Sequence, residues 1–174
     1  MENQNNDQFS LFVETCEKIR STTKKNEKIE IISNYITNLD ETSLSIAVLF
    51  LSGRAFPIGS TATLNIGFTT IMESLSEIAM LDIKDIQNIH LKHGDIGAMA
   101  EYAVSKKHII SLFNQQERIS LSYVYHQFKK IANISGFGSN KNKKNILKGL
   151  LIACSPLESK YLIKIITGEM RIGS

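Results

Sequence analysis

Two short stretches carry the residues best able to hold a ligand. The first, TTKKNEK (residues 22–28), sets hydroxyls and lysines just ahead of an apolar periodic run. The second, SGFGSNKNKK (135–144), adds two glycines, and the interval from Lys129 to Lys148 holds six lysines and no carboxylate. A helix N-terminus leaves amide donors unpaired and carries the positive end of the helix dipole, so hydroxyls and ammonium groups placed there favour an anion, phosphate above all. A lysine-rich loop that merely faces water is the plain alternative. An ATP site fits poorly. GFGSNK has only the first two glycines of GxGxxG, with Lys141 in the third place, and GxxxxGK[ST] is absent.

Other chemistry does not assemble. His90 and His93 stand three apart on one helix face with no further ligand at metal spacing, so no metal site is expected. His108 and His126 are isolated, and Asp95, in HGD, reads as a helix N-cap rather than an acid catalyst. GxSxG, HExxH and CxxC do not occur, and the chain by itself is expected to be non-catalytic. Cys16 and Cys154 each lie within an apolar run and read as buried, reduced thiols, which fits an intracellular protein. The apolar runs are too short to cross a membrane.

The elements that must present the two turns are helical. A chain of 174 residues, 43% apolar, can bury the core of one domain. Its net charge is only +3, so the lysine cluster makes a local basic patch on a near-neutral body. Phe9, Phe12, Val13, Cys16 and Ile19 recur at spacings of three and four, as do Ile29, Ile32, Ile36 and Leu39. Leu44, Ala47, Val48 and Leu51 follow a break at Asp40, and Gly53 is placed to end that helix. Further helices are expected over Phe68–Ala79 and around Ile83–Ile89, the latter closed by Gly94. Ser155-Pro156-Leu157-Glu158 is a capping box opening a helix that buries Leu162, Ile165 and Ile166 and stops at Gly168. Thr61–Ile66 is the only strand candidate. The expected fold is all-α, a single domain over 9–174 behind a disordered tail at 1–8.

The two turns also occupy matching places in an internal repeat. FLSGR (50–54) aligns with IITGE (165–169) at an offset of 115, which sets Ile32 on Leu147 and Lys28 on Lys143. Upstream the offset is 112, and the three extra residues fall in the SGFGSN turn. Two helix–basic turn–helix–helix units related by a pseudo-two-fold suggest two phosphate backbones, one gripped by each unit, as in a nucleic-acid duplex.

GDIGAMAE (94–101), SGFGSNKNKKNILKGLLIAC (135–154) and ESKYLIKIITGEMRIG (158–173) resemble the N-terminal DNA-binding domain of ATP-dependent DNA ligases of the archaeal and eukaryotic type. LSGRAFP (51–57) and LNIG (64–67) resemble weaker motifs of the same family. The resemblance implies a helical domain that binds the minor groove of nicked duplex DNA on both sides of the break, without base preference. It assigns contacts to Thr23, Lys24 and Lys25, to Gly136, Ser139, Lys141 and Lys144, and to Arg171 and Gly173. Glu169 departs from relatives that carry a basic residue there. The resemblance further implies a longer enzyme, active in replication, repair and recombination, that uses ATP and Mg²⁺ elsewhere in its length. Neither would bind this domain, and the KxDG motif of the adenylated lysine does not occur in these residues. It also implies a DNA-associated monomer, with any sliding clamp reached through other parts of the protein. The alternatives are a helical protein-interaction module with solvated basic loops, and a helix-turn-helix regulator, for which no recognition helix is evident.

Overall fold

The computed structural model describes residues 6–107 and 119–173, among which nine α-helices form. In chain order they are α1 (Phe9–Ser21), α2 (Lys25–Ile36), α3 (Glu41–Leu51), α4 (Phe68–Ala79), α5 (Ile83–His93), α6 (Ile96–Ser105), α7 (Leu121–Ala132), α8 (Ser139–Ala153) and α9 (Pro156–Thr167). Among the described residues there is no strand, and extended pairing is limited to one antiparallel bridge between Gln8 and Ser120. The fold is a single all-α domain, as the periodicity predicts. Thr61–Ile66 forms a loop, because alternation without a partner strand leaves the backbone donors nothing to pair with.

Local chemistry sets the helix boundaries. Asp40, Asp82, Asp95, Ser120 and Ser155 cap α3, α5, α6, α7 and α9, each side chain accepting from amides of the first turn. The capping box is complete, with the Glu158 carboxylate accepting from the Ser155 amide at 2.7 Å. Past their ends, α3, α5 and α9 are stopped by Gly53, Gly94 and Gly168, all left-handed. Of the stretch 1–8, residues 6–8 are placed against the body: the Asp7 carbonyl accepts from the Leu121 amide at 2.8 Å, and the Phe9 amide donates to Ile119 at 2.9 Å.

Two features organise the core. Phe9, Phe12, Phe50 and Phe128 form a chain of rings, with successive centroids 5.6, 6.1 and 5.6 Å apart, that joins α1, α3 and α7. The second is α9, which is buried continuously from Glu158 to Ile165, lysines included. Lys160 reaches Glu17 of α1 at 2.7 Å and Glu101 of α6 at 3.7 Å, while Lys164 reaches Asp95 at 2.8 Å. Ile166, expected on the buried face, is only half-buried. Gly97 lets α6 approach, since a Cβ there would lie 2.6 Å from Cε of Lys164. Burial opposes ionisation of Glu17, but hydrogen bonds from Lys160 and Tyr161 outweigh it and hold its carboxyl below the usual range. Cys16 and Cys154 are free, buried thiols, with burial raising the pKa of both.

Candidate nucleic-acid interface

The first lysine turn lies where α1 hands over to α2. Thr22 is extended, Thr23 and Lys24 are exposed, and α2 begins at Lys25 with no side chain capping its first amides. The Thr22 hydroxyl accepts from the Lys24 amide at 3.2 Å and donates to Glu27, while the Lys24 ammonium lies 2.7 Å from Glu27. One turn on, Lys28 donates its ammonium to the carbonyl of Gly173. That link draws the C-terminal segment onto α2. Within the segment Met170 and Ile172 are buried, and Arg171 between them points to solvent at φ 40°, with Glu169 3.6 Å from its guanidinium. A left-handed backbone is uncommon for arginine and is held here by the buried residues on either side.

The second lysine turn lies between α7 and α8. The Ser139 amide donates to the Gly136 carbonyl at 3.2 Å, which makes Phe137 and Gly138 the central residues of a tight turn. Gly138, at φ 77° and ψ 3°, has the third-position geometry of a type II turn, which glycine adopts without strain. Helix α8 then opens at Ser139, again without a side-chain cap. Lys143 is buried and donates to the Leu64 carbonyl at 2.8 Å. Leu64 is buried, and Asn65 after it is exposed at φ 47°. Ile66 and Gly67 follow, Gly67 standing at the start of α4, which also lacks a side-chain cap.

Each corner therefore joins a lysine-bearing helix start to a turn ending in Ile-Gly whose second residue is a left-handed, exposed polar side chain. The partners cross over. The lysine on α2 holds the turn that follows α9, and the lysine on α8 holds the turn that follows α3. Among the described residues four helix starts have no side-chain cap: α1 gives its Phe9 amide to the Ile119 carbonyl, while α2, α4 and α8 have first-turn amides open to an anion. Helices α3, α5, α6, α7 and α9 spend theirs on capping side chains. Open donors, lysines and small turns gathered this way suit phosphate and sugar rather than base edges.

A family model described as DNA ligase N terminus matches residues 8–174. The chain belongs to that family. It is 31% identical to a DNA ligase of Methanothermobacter thermautotrophicus over 166 residues, which cover 94% of this chain and 29% of the relative. It is 32% identical to a DNA ligase of Archaeoglobus fulgidus, over 95% of this chain and 29% of that protein. A probable DNA ligase of Koribacter versatilis is 32% identical over 95% of this chain and 27% of its own length. The chain spans less than a third of each of these relatives.

In this DNA ligase N-terminal chain the expected contact residues fall into two groups. Thr23, Lys24 and Lys25 sit with Arg171 and Gly173 at the first corner through the Lys28 link. Gly136, Ser139 and Lys141 sit together at the second, Gly136 and Lys141 exposed and Ser139 half-buried. Lys25 and Lys141 have no ion-pair partner among the described residues. Lys144 is differently placed. It turns toward α4, with its ammonium 3.1 Å from Glu73 and 2.8 Å from Glu77, and Lys148 adds a contact to Glu77 at 2.6 Å. Those hydrogen bonds hold the Glu77 carboxyl below its ordinary range and raise the Lys144 ammonium above its own. The positioning lysines, Lys28 and Lys143, stood in the two lysine stretches and matched each other in the repeat, but nothing marked them off from their neighbours as links to the turns, for which the shared Ile-Gly of LNIG and MRIG was a usable signal. Asp95 caps α6, and His108 lies outside the described residues. Among the described residues no three His, Cys, Asp or Glu side chains are grouped to hold a metal ion.

Proposed function

We propose that this chain is the DNA-holding part of an ATP-dependent DNA ligase, gripping nicked duplex DNA from the minor-groove side without reading base sequence. The two lysine corners, related by an approximate two-fold, hold one phosphate backbone each. Adenylation and sealing, with their ATP and Mg²⁺, belong to parts of the enzyme beyond these residues, as does any contact with a sliding clamp. The protein acts inside the cell as a DNA-associated monomer, in replication, repair and recombination. The observation that carries the proposal, alongside family membership, is the pairing of open, lysine-bearing helix starts at α2 and α8 with outward-facing turns at Arg171 and Asn65. Binding of nicked and intact duplexes of unrelated sequence, followed by fluorescence anisotropy across a salt series, tests it. Roughly five phosphate contacts give a log–log slope near −4 or steeper, at about −0.9 per contact. Affinity that is flat in salt, or confined to one sequence, would count against it.

A further inference from the structure

Phe137 serves neither the core nor the phosphate contacts. It is fully exposed, at 110% relative accessibility, the highest among the exposed large apolar side chains described. The turn beneath it is a hydrogen-bonded one. Gly136 and Gly138, both left-handed, flank the ring, and the Ser139–Gly136 hydrogen bond closes the loop at its base. No heavy atom outside the adjoining residues lies within 4 Å of a Cβ built at either glycine, so the turn stands clear of the body with Phe137 at its corner. The sequence around it, from Lys129 to Lys148, is free of carboxylates, and Lys141 is exposed a few residues on. The first corner has nothing comparable, since its turn is three residues shorter and carries no aromatic.

A lone ring at the tip of a basic turn matches the build of a duplex groove, whose rim is anionic and whose floor of sugars and base edges is apolar. We propose that Phe137 is a wedge that enters the minor groove beside the nick and leans on the adjacent base step, a role that rests on the DNA-holding function above. Proteins that bind the minor groove use apolar side chains, Phe among them, in this way. A nick favours the step it interrupts, because one of the two backbones resisting the opening is already broken. The lysines then set how strongly the duplex is held, and the ring sets where along it.

The chain contains no Trp, so Phe137→Trp introduces a single indole reporter, and Phe137→Ala removes the ring from a solvent-facing site while circular dichroism checks helicity. With a nicked duplex the Ala variant should bind about tenfold more weakly, the order expected for one lost aromatic–base contact. Its salt slope should equal wild type, because no phosphate contact is lost. The indole emission should change on binding, and 2-aminopurine at the nick-proximal step should brighten with the wild-type chain and stay dark with the Ala variant. An Ala variant that binds like wild type, or whose slope flattens by a full unit, overturns the wedge while leaving the DNA-holding function standing. Failure of the wild-type chain to bind any duplex at low salt overturns both.

Discussion

At the start of α2 a lysine reaches a carbonyl of the Met170–Gly173 segment, and at the start of α8 a lysine reaches the carbonyl of Leu64. The parts match, but their settings do not. Helix α2 buries none of its residues, and its Lys28 link lies in an exposed setting. Helix α8 buries Lys143, Leu147, Leu150 and Leu151, so its link is sealed under apolar packing. A hydrogen bond from a charged group is worth about 1.5–3 kcal/mol, and removing one partner in a buried setting leaves the other desolvated, whereas exposed ionic contacts are worth about 0–1 kcal/mol. The core therefore fixes where α8 sits at the second corner, whereas at the first it fixes the Met170–Ile172 segment and α2 joins that segment through a surface contact. Two corners of like composition thus differ in how deeply the lysine-bearing helix is anchored.

The largest expected effect tests that contrast directly. Lys143→Met keeps most of the side-chain volume but strands the Leu64 carbonyl, and should lower unfolding free energy by about 2 kcal/mol. Lys28→Met should cost under about 1 kcal/mol. Denaturant melts of both variants decide the matter, and equal losses would mean the corners are anchored alike.

Charge removal comes next in size. Lys25→Ala and Lys141→Ala should each flatten the salt slope for duplex binding by about one unit with little loss of stability, while Lys24→Ala should change it less because that ammonium already lies 2.7 Å from Glu27. Lys144→Ala should leave the slope unchanged, because that ammonium is already committed to Glu73 and Glu77. A Lys144 variant that flattens the slope as Lys141 does would show that the lysine abandons α4 when DNA arrives.

The smallest effect comes from the acids on α4. Glu77→Gln removes the charge that holds Lys148 and one of the two that hold Lys144, which keeps Glu73 at 3.1 Å, and should tighten duplex binding a few-fold with a slope steeper by up to about one unit. Acid should act in the same direction. The Glu77 carboxyl is held below its ordinary range, so the stability from its ion pairs is fully present above about pH 4.5 and is lost only as pH falls through the lowered value. Anisotropy at matched salt, with Glu27→Gln as the first-corner counterpart, compares the acid supply of the two sites.

Much of the scaffold was legible because its rules are local. Asp40, Asp95, the Ser155–Glu158 box and the glycines at 53, 94 and 168 act within a turn of their own positions, so a reader of the chain meets cause and effect together. The lysines were harder. Lys160 and Lys164 look like a solvated face, and Glu17, Glu101 and Asp95, distant in sequence and adjacent in space, make their burial tolerable. Lys144, assigned to DNA by the resemblance, gave no hint of its carboxylate partners for the same reason, since Glu73 and Glu77 stand on a helix that no periodicity connects to α8. The repeat aligned Lys28 with Lys143 but could not say that each would hold the turn belonging to the other half.

The burial of α9 also governs how the chain can be made. The last of the nine described helices supplies the surface against which α1 and α6 close, and its lysines neutralise carboxylates set down early in the chain, at Glu17, Asp95 and Glu101. At synthesis rates of roughly 5–20 residues per second, those earlier helices wait on the order of ten seconds for their partner. Until then Glu17 has only Arg20 of its own helix beside it, and the faces of α1 and α6 that meet α9 are uncovered. A nascent chain arrested before Pro156 holds most of the helices and both lysine turns, yet lacks the buried helix that joins α1 to α6.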